Sequence, residues 1–106
     1  MPQVKLSDQA RYDLGRFADF LTQNGAPEKA SEVISFILKS LKILRANPLI
    51  GRDYPLAENY DFQELVMHYG KNGYVALYSF DQEIDLVVIH AIRHQLEFGY
   101  NTASSE

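Results

Sequence analysis

The sequence predicts a two-layer α+β domain: a helical hairpin packed on an antiparallel sheet, in the order strand, helix, helix, strand, strand, strand. Three observations lead there. Apolar residues in the first half recur at helical spacing in two stretches parted by Asn24-Gly25 and Pro27. Beyond Asp61 the period falls to two, in three segments parted by tight-turn residues. The last segment is apolar on both faces, so it needs cover, and the helical hairpin is the only cover the chain offers.

Each element has its own local cause. Val4-Lys5-Leu6 reads as a short first strand. Ser7 then suits a helix N-cap, and Asp8 places negative charge at the positive end of the helix dipole. Ala10, Leu14, Phe17, Ala18 and Leu21 form the apolar face of this helix, which Asn24-Gly25 ends in a pair suited to left-handed backbone. Pro27 fits the first turn of a second helix, where its missing N–H costs nothing. Ala30, Val33, Ile34, Ile37, Leu38, Leu41 and Leu44 make its stripe, and Pro48 stops it by pushing Asn47 out of helical conformation. Leu49 to Asp61, with two prolines and a glycine, reads as a loop. Strands are expected from Glu64 to Gly70, from Tyr74 to Phe80 and from Ile84 to Ile92, joined by Gly70-Lys-Asn-Gly73 and Asp81-Gln-Glu83. Residues 1–100 read as a single domain and residues 101–106 as a polar tail.

Composition narrows the function classes. A chain of 106 residues is one domain's worth. It has no cysteine, which excludes disulfides, thiolate metal sites and a cysteine nucleophile, and makes the cytoplasm the default compartment. No secretory h-region is visible, and no apolar run approaches the roughly 20 residues a membrane span needs, so no membrane role is expected. The net charge of −4 argues against a broad phosphate-tracking surface.

The candidate functional residues are few. There is no phosphate loop, no His-Glu-x-x-His and no Gly-x-Ser-x-Gly. His90 and His94 are four apart, but the surrounding strand pattern does not supply the helical spacing of a metal pair, so neither metal nor cofactor is expected. Arg93-His94 emerges from the most apolar strand. The guanidinium is suited to forking a phosphate or carboxylate and the imidazole to exchanging protons, while the plainer reading is a solvated strand end paired with acidic groups. Tyr54 and Tyr60 lie in the predicted loop and are candidates for an interface, where tyrosine offers rigid area with a polar tip. Tyr78 reads as a packing residue.

Gly73-Tyr-Val-Ala-Leu-Tyr78, Asp85 to Gln95 (Asp-Leu-Val-Val-Ile-His-Ala-Ile-Arg-His-Gln) and Glu97-Phe-Gly-Tyr100 resemble the C-terminal half of ParE-type toxins, in the RelE/ParE toxin–antitoxin superfamily. Leu6-Ser7 with Ala10, Asp13 and Leu14, and Asn47-Pro48 with Gly51, are similar to the first half. The resemblance spans nearly the whole chain and implies the fold derived above. It also implies a cytoplasmic toxin of a type II system, of the kind linked to plasmid stabilisation. A cognate ParD-like antitoxin would neutralise it, and DNA would be reached only through that antitoxin. ParE-like members inhibit DNA gyrase. RelE-like members cleave mRNA on the ribosome, and in that alternative Arg93, His94 and Tyr100 would between them supply the acid, base and phosphate clamp. A third alternative is a non-toxic relative acting only as antitoxin partner.

The residues favour the first alternative. A nuclease needs several convergent cations to hold phosphates and stabilise the charged transition state. Outside the helical half the chain offers only Arg52, Lys71 and Arg93, with Lys5 at the start, and the strands from Glu64 to Gly70 and from Tyr74 to Phe80 carry no arginine or lysine. Arg52, Tyr54, Tyr60, Arg93 and His94 are therefore candidates for binding the target or the partner rather than for catalysis. The antitoxin is expected along the groove between the helical hairpin and the sheet edge.

Overall fold

The computed structural model describes residues 1–54 and 62–100. Tyr60 and the tail at 101–106 lie outside the described residues. The elements run β1 (Gln3–Leu6), α1 (Asp8–Gln23), α2 (Pro27–Leu41), α3 (Ile43–Ala46), β2 (Arg52–Asp53), β3 (Phe62–Tyr69), β4 (Asn72–Asp81) and β5 (Leu86–His94). They form one five-stranded sheet in the order β1-β5-β4-β3-β2, with the helical hairpin on one face.

Helix α1 begins as its sequence dictates. Ser7 is its N-cap, with the hydroxyl oxygen accepting the Ala10 N–H at 3.1 Å. Asp8 occupies the first turn. In α2 Pro27 stands at the start, as expected. The second helix does not run unbroken to Leu44. It closes at Leu41 and resumes as α3, because Lys42 sits in a tightened turn where its N–H reaches the Lys39 carbonyl and its own carbonyl accepts from Arg45. The apolar stripe survives the break, since Leu41 and Leu44 are both buried.

The sheet departs from the sequence reading in three places. Arg52–Asp53, inside the predicted loop, pairs antiparallel with Glu64 and Gln63 as an edge strand. The last strand begins at Leu86 rather than Ile84, because the preceding turn extends to Asp85, which takes φ +54°. It also continues to His94, so Arg93 and His94 lie within the strand rather than beyond its end. The β3–β5 meander is antiparallel as expected, whereas β1 lies parallel to β5, from Gln3 opposite Leu86 to Leu6 opposite Ile89. Strand β5 lies inside the sheet between β1 and β4. The β3–β4 hairpin turns at Gly70, whose φ of +64° lets Tyr69 pair directly with Asn72.

Leu14 and Phe17 of α1, with Val33, Ile37 and Leu41 of α2, pack on Met67, Tyr78, Ile89 and Ile92 of the sheet. Burying each such side chain contributes roughly 1.5–3 kcal/mol, so this layer contact is the main driving term. Tyr78 is fully buried, as its packing role requires, and its hydroxyl accepts the Gly51 N–H at 2.9 Å. Gly51 is needed there, because a Cβ would lie 2.6 Å from both the Tyr78 hydroxyl and the Glu64 carbonyl oxygen.

One irregularity sets the site. Between Leu77 and Tyr78 the β4–β5 register shifts, so that Leu77 faces Ala91 while Tyr78 faces Ile89 and His90 is the extra residue. Val87 and Ile89 point to the helices, and simple alternation would send Ala91 and Arg93 after them. The bulge reverses the phase, so Ile92 enters the core and Arg93 turns to the open face.

Helix α1 also completes the edge of β5 beyond the end of β1. The Ser7 hydroxyl donates to the His90 carbonyl at 2.8 Å, and the Ile92 N–H donates to the fully buried Asp13 carboxylate at 2.8 Å. Asp13→Ala is expected to lower stability by about 2–4 kcal/mol, since a buried N–H loses its acceptor and Arg16 loses a counter-charge. Asp13→Asn, which keeps an oxygen acceptor, should cost less. Urea denaturation of the two variants checks both.

Candidate functional site

The open face of the sheet carries a carboxylate that the sequence reading passed over. Glu64 of β3 alternates with Leu65 and Met67, so it faces away from the helices, yet it is only 4% exposed. Three side chains cover it. Arg52 Nε donates to Oε1 at 3.0 Å from the neighbouring edge strand. The Tyr100 hydroxyl donates to Oε2, and Arg93 Nη2 stands 4.0 Å from the same oxygen. The Arg93 guanidinium also lies over the Tyr100 ring at 5.3 Å, and Tyr54 meets that ring edge-on at 6.0 Å. Four of the residues singled out from sequence, Arg52, Tyr54, Arg93 and Tyr100, are thus gathered around an acid that was not.

The cluster is built from both ends of the second half of the chain. The cross-strand register of β2 and β3 sets Arg52 opposite Glu64. Arg93 Nη1 donates to the backbone carbonyls of His94, Gln95 and Glu97 at 3.3–3.4 Å, which curls the segment after β5 and brings Tyr100 back over the sheet. The Arg93 side chain is only 16% exposed, while Arg52 is 58% exposed. Both arginines are engaged by one buried carboxylate, which holds two positive charges together on the open face. Burial foremost, then the bond and charge of Glu64, hold the Tyr100 phenol far above its ordinary range, outweighing Arg93. The phenol serves here as a hydrogen-bond donor to Glu64.

His94 is not part of this cluster. It projects to the helix side, where its ring meets Tyr74 edge-on at 5.2 Å and its Nδ1 accepts the Leu96 N–H at 3.1 Å. It borders a groove of about 460 Å³ formed with Phe17, Phe20, Leu21 and Leu96. Arg16 and Glu97 close that groove, joined at 2.9 Å, and the other oxygen of Glu97 accepts the His94 N–H at 2.8 Å. Phe20 and Leu96 leave most of their surface in solvent, which makes this an apolar patch at the end of α1. Arg93, Tyr100 and His94 therefore do not converge on one point. On the open face His90 pairs instead with Ser79, Nε2 to Oγ at 2.7 Å, with Phe62 against its ring, and burial pushes its pKa below the usual histidine value.

The chain matches the family model described as the ParE toxin of type II toxin-antitoxin system, parDE, over residues 4–97. The chain belongs to the ParE toxin family. Its fold is similar to that of a solved structure of the chromosomal ParDE toxin–antitoxin system from P. aeruginosa, at 20% identity and a TM-score of 0.71, covering 89% of this chain and 96% of that one. It is also similar to a chain of the RelBE2 toxin–antitoxin complex from Mycobacterium tuberculosis, at 24% identity and a TM-score of 0.58, covering 91% and 93%. No curated protein sequence matches it. This ParE-family chain thus shares the two-layer fold of those solved structures, with its open-face arginines tied to an internal acid.

Three phenols titrate late in this ParE-family structure. Tyr74, Tyr78 and Tyr100 all have pKa values raised, chiefly by burial. Their folded pKa exceeds the unfolded one, so their contribution to stability is full below pH ~10 and is lost as pH rises from there through the raised folded values. Spectrophotometric titration should show these three ionising only with alkaline unfolding. Tyr100→Phe should remove one of them and lower stability by about 1–2 kcal/mol by taking a donor from Glu64.

Proposed function

We propose that this ParE-family toxin acts by binding and inhibiting DNA gyrase, and that a cognate, ParD-like antitoxin encoded beside it neutralises it in the cytoplasm. The observation that carries this reading is the separation of Arg93 from His94. A ribonuclease needs an unengaged cation to clamp the scissile phosphate and an acid–base pair within reach of it. Here Arg93 is tied to Glu64 and three carbonyls, Tyr100 donates to the same carboxylate, and His94 lies on the other side of the sheet. The negative net charge points the same way. Blocking a protein target needs surface complementarity and no reacting constellation. Arg52 and Tyr54 at the rim of the open face are the residues offered to that target. Among the described residues no helix is long and apolar enough to cross a membrane.

Purified toxin should inhibit gyrase supercoiling in a dose-dependent way, and the antitoxin should relieve the inhibition. In a translating extract mRNA should stay intact at the same concentrations. Codon-linked mRNA cuts that disappear in Arg93→Ala or His94→Ala would establish the nuclease alternative. Unimpeded growth on expression without the antitoxin would favour a non-toxic relative.

A further inference from the structure

Helix α1 turns one face to solvent, and that face is ordered about Gly15. Asp8, Arg11, Tyr12, Gly15, Asp19 and Thr22 lie on it at helical spacing, all exposed. Gly15 stands in the middle of the helix, where glycine is among the poorest helix formers. Nothing in the fold accounts for it, since a Cβ at this position would meet no atom within 4 Å. A missing side chain on an exposed helix face lets a second backbone come close.

The neighbours of Gly15 match one another across it. Arg11 stands four residues before it and Asp19 four residues after it, and neither has an ion pair among the described residues. Tyr12, three residues before it, is 49% exposed. Ala18, three residues after it, borders a shallow groove of about 440 Å³ on the outer side of the hairpin, where Ala30, Ser31 and Ser35 of α2 contribute small side chains. A second α1 laid antiparallel, glycine against glycine, sets each residue of this face against the one equally far on the other side of Gly15.

We infer that the toxin self-associates as a two-fold dimer through α1, the helices crossing antiparallel at Gly15. Each Arg11 meets Asp19 of the other copy. Each Tyr12 enters the groove beside Ala18 of the other copy, where the Ser31 and Ser35 hydroxyls are partners for its phenol. Two-fold symmetry makes every one of these contacts twice. A parallel pairing would set Arg11 against Arg11 and Asp19 against Asp19, so charge selects the antiparallel one. The groove bordered by Phe20 and Leu96 has no such self-match, since its arginine is already paired within the chain. Such a dimer requires neither the target nor the antitoxin proposed above.

One helix face per chain lies at the small end of specific interfaces, so the full-length toxin should dimerise at roughly 10–100 µM in sedimentation equilibrium. Gly15→Leu should weaken the dimer at least roughly tenfold by holding the backbones apart, yet leave the monomer at least as stable to heat, because leucine is the better helix former. Asp19→Arg should also weaken it at least roughly tenfold, with the loss shrinking in high salt. Adding Arg11→Asp to that variant should restore the dimer, since exchanging the two charges keeps them opposite. Lys71→Glu, in the β3–β4 turn, should change the affinity less than about threefold. A wild-type toxin that stays monomeric at about 1 mM overturns the inference, whether or not any variant folds. A dimer that Gly15→Leu and Asp19→Arg leave unchanged overturns it too, as does a charge-exchanged double variant no tighter than Asp19→Arg alone. Hydrogen-exchange protection of α1 that appears only when the antitoxin is added assigns this face to that partner and rejects the dimer.

Discussion

The bond between the buried Asp13 carboxylate and the Ile92 N–H is the contact on which the sheet's best strand depends. Strand β1 pairs with β5 only as far as Ile89, and on that side five more residues of β5 follow without a strand, although β4 lies along the other side. Their backbone groups would be orphaned beneath a helix, where water cannot reach them. Side chains take the place of the missing strand. Ser7 serves His90, Asp13 serves Ile92 and Glu97 serves His94. Arg16 then bridges Asp13 and Glu97, so the two carboxylate acceptors are coupled through one guanidinium. The helix layer is thereby fixed to the sheet by direction as well as by apolar contact, and β5 is free to carry its last residues past the edge of the core.

Glu64 plays the corresponding part on the open face. A carboxylate that is almost fully buried requires compensation, and Arg52, Arg93 and Tyr100 supply it. The consequence reaches function, because the cations that would serve a phosphate are already bound to an internal acid. Arg93 has a second structural duty in gathering three carbonyls of the segment after β5. A residue engaged on both counts positions its neighbours. It is poorly placed to act on a substrate, which supports the proposed reading of the open face as a surface for recognising a protein.

Much of the architecture was legible residue by residue. Ser7, Asp8, Asn24-Gly25 and Pro27 mark helix ends by backbone chemistry that acts within a few residues, and the helices begin and turn where those residues stand. The turn at Gly70 is local in the same sense. The break at Lys42 and the strand at Arg52–Asp53 were not legible. The first leaves the apolar stripe unchanged, and the second exists only because Glu64 and Gln63 offer it a partner. The site was half legible. Arg93 and Tyr100 stood out by type, whereas Glu64 looked like an ordinary polar residue on the solvent side of a strand. The signal available was an acid alternating with Leu65 and Met67 in a strand that carries no cation of its own.

Composition, period and caps determined on their own that this chain is a two-layer α+β domain with a hairpin over a meander, and that cations are scarce on its strands. They did so because helix ends, turns and amphipathic faces are written in residues close in sequence. The face on which Arg93 and His94 each fall was decided only in the tertiary structure. One extra residue at His90 reverses the alternation of β5, and that bulge answers the register of β4, a strand that no local pattern in β5 can anticipate. The same holds for Glu64, whose partners come from residues 52, 93 and 100 and meet only once the sheet has formed.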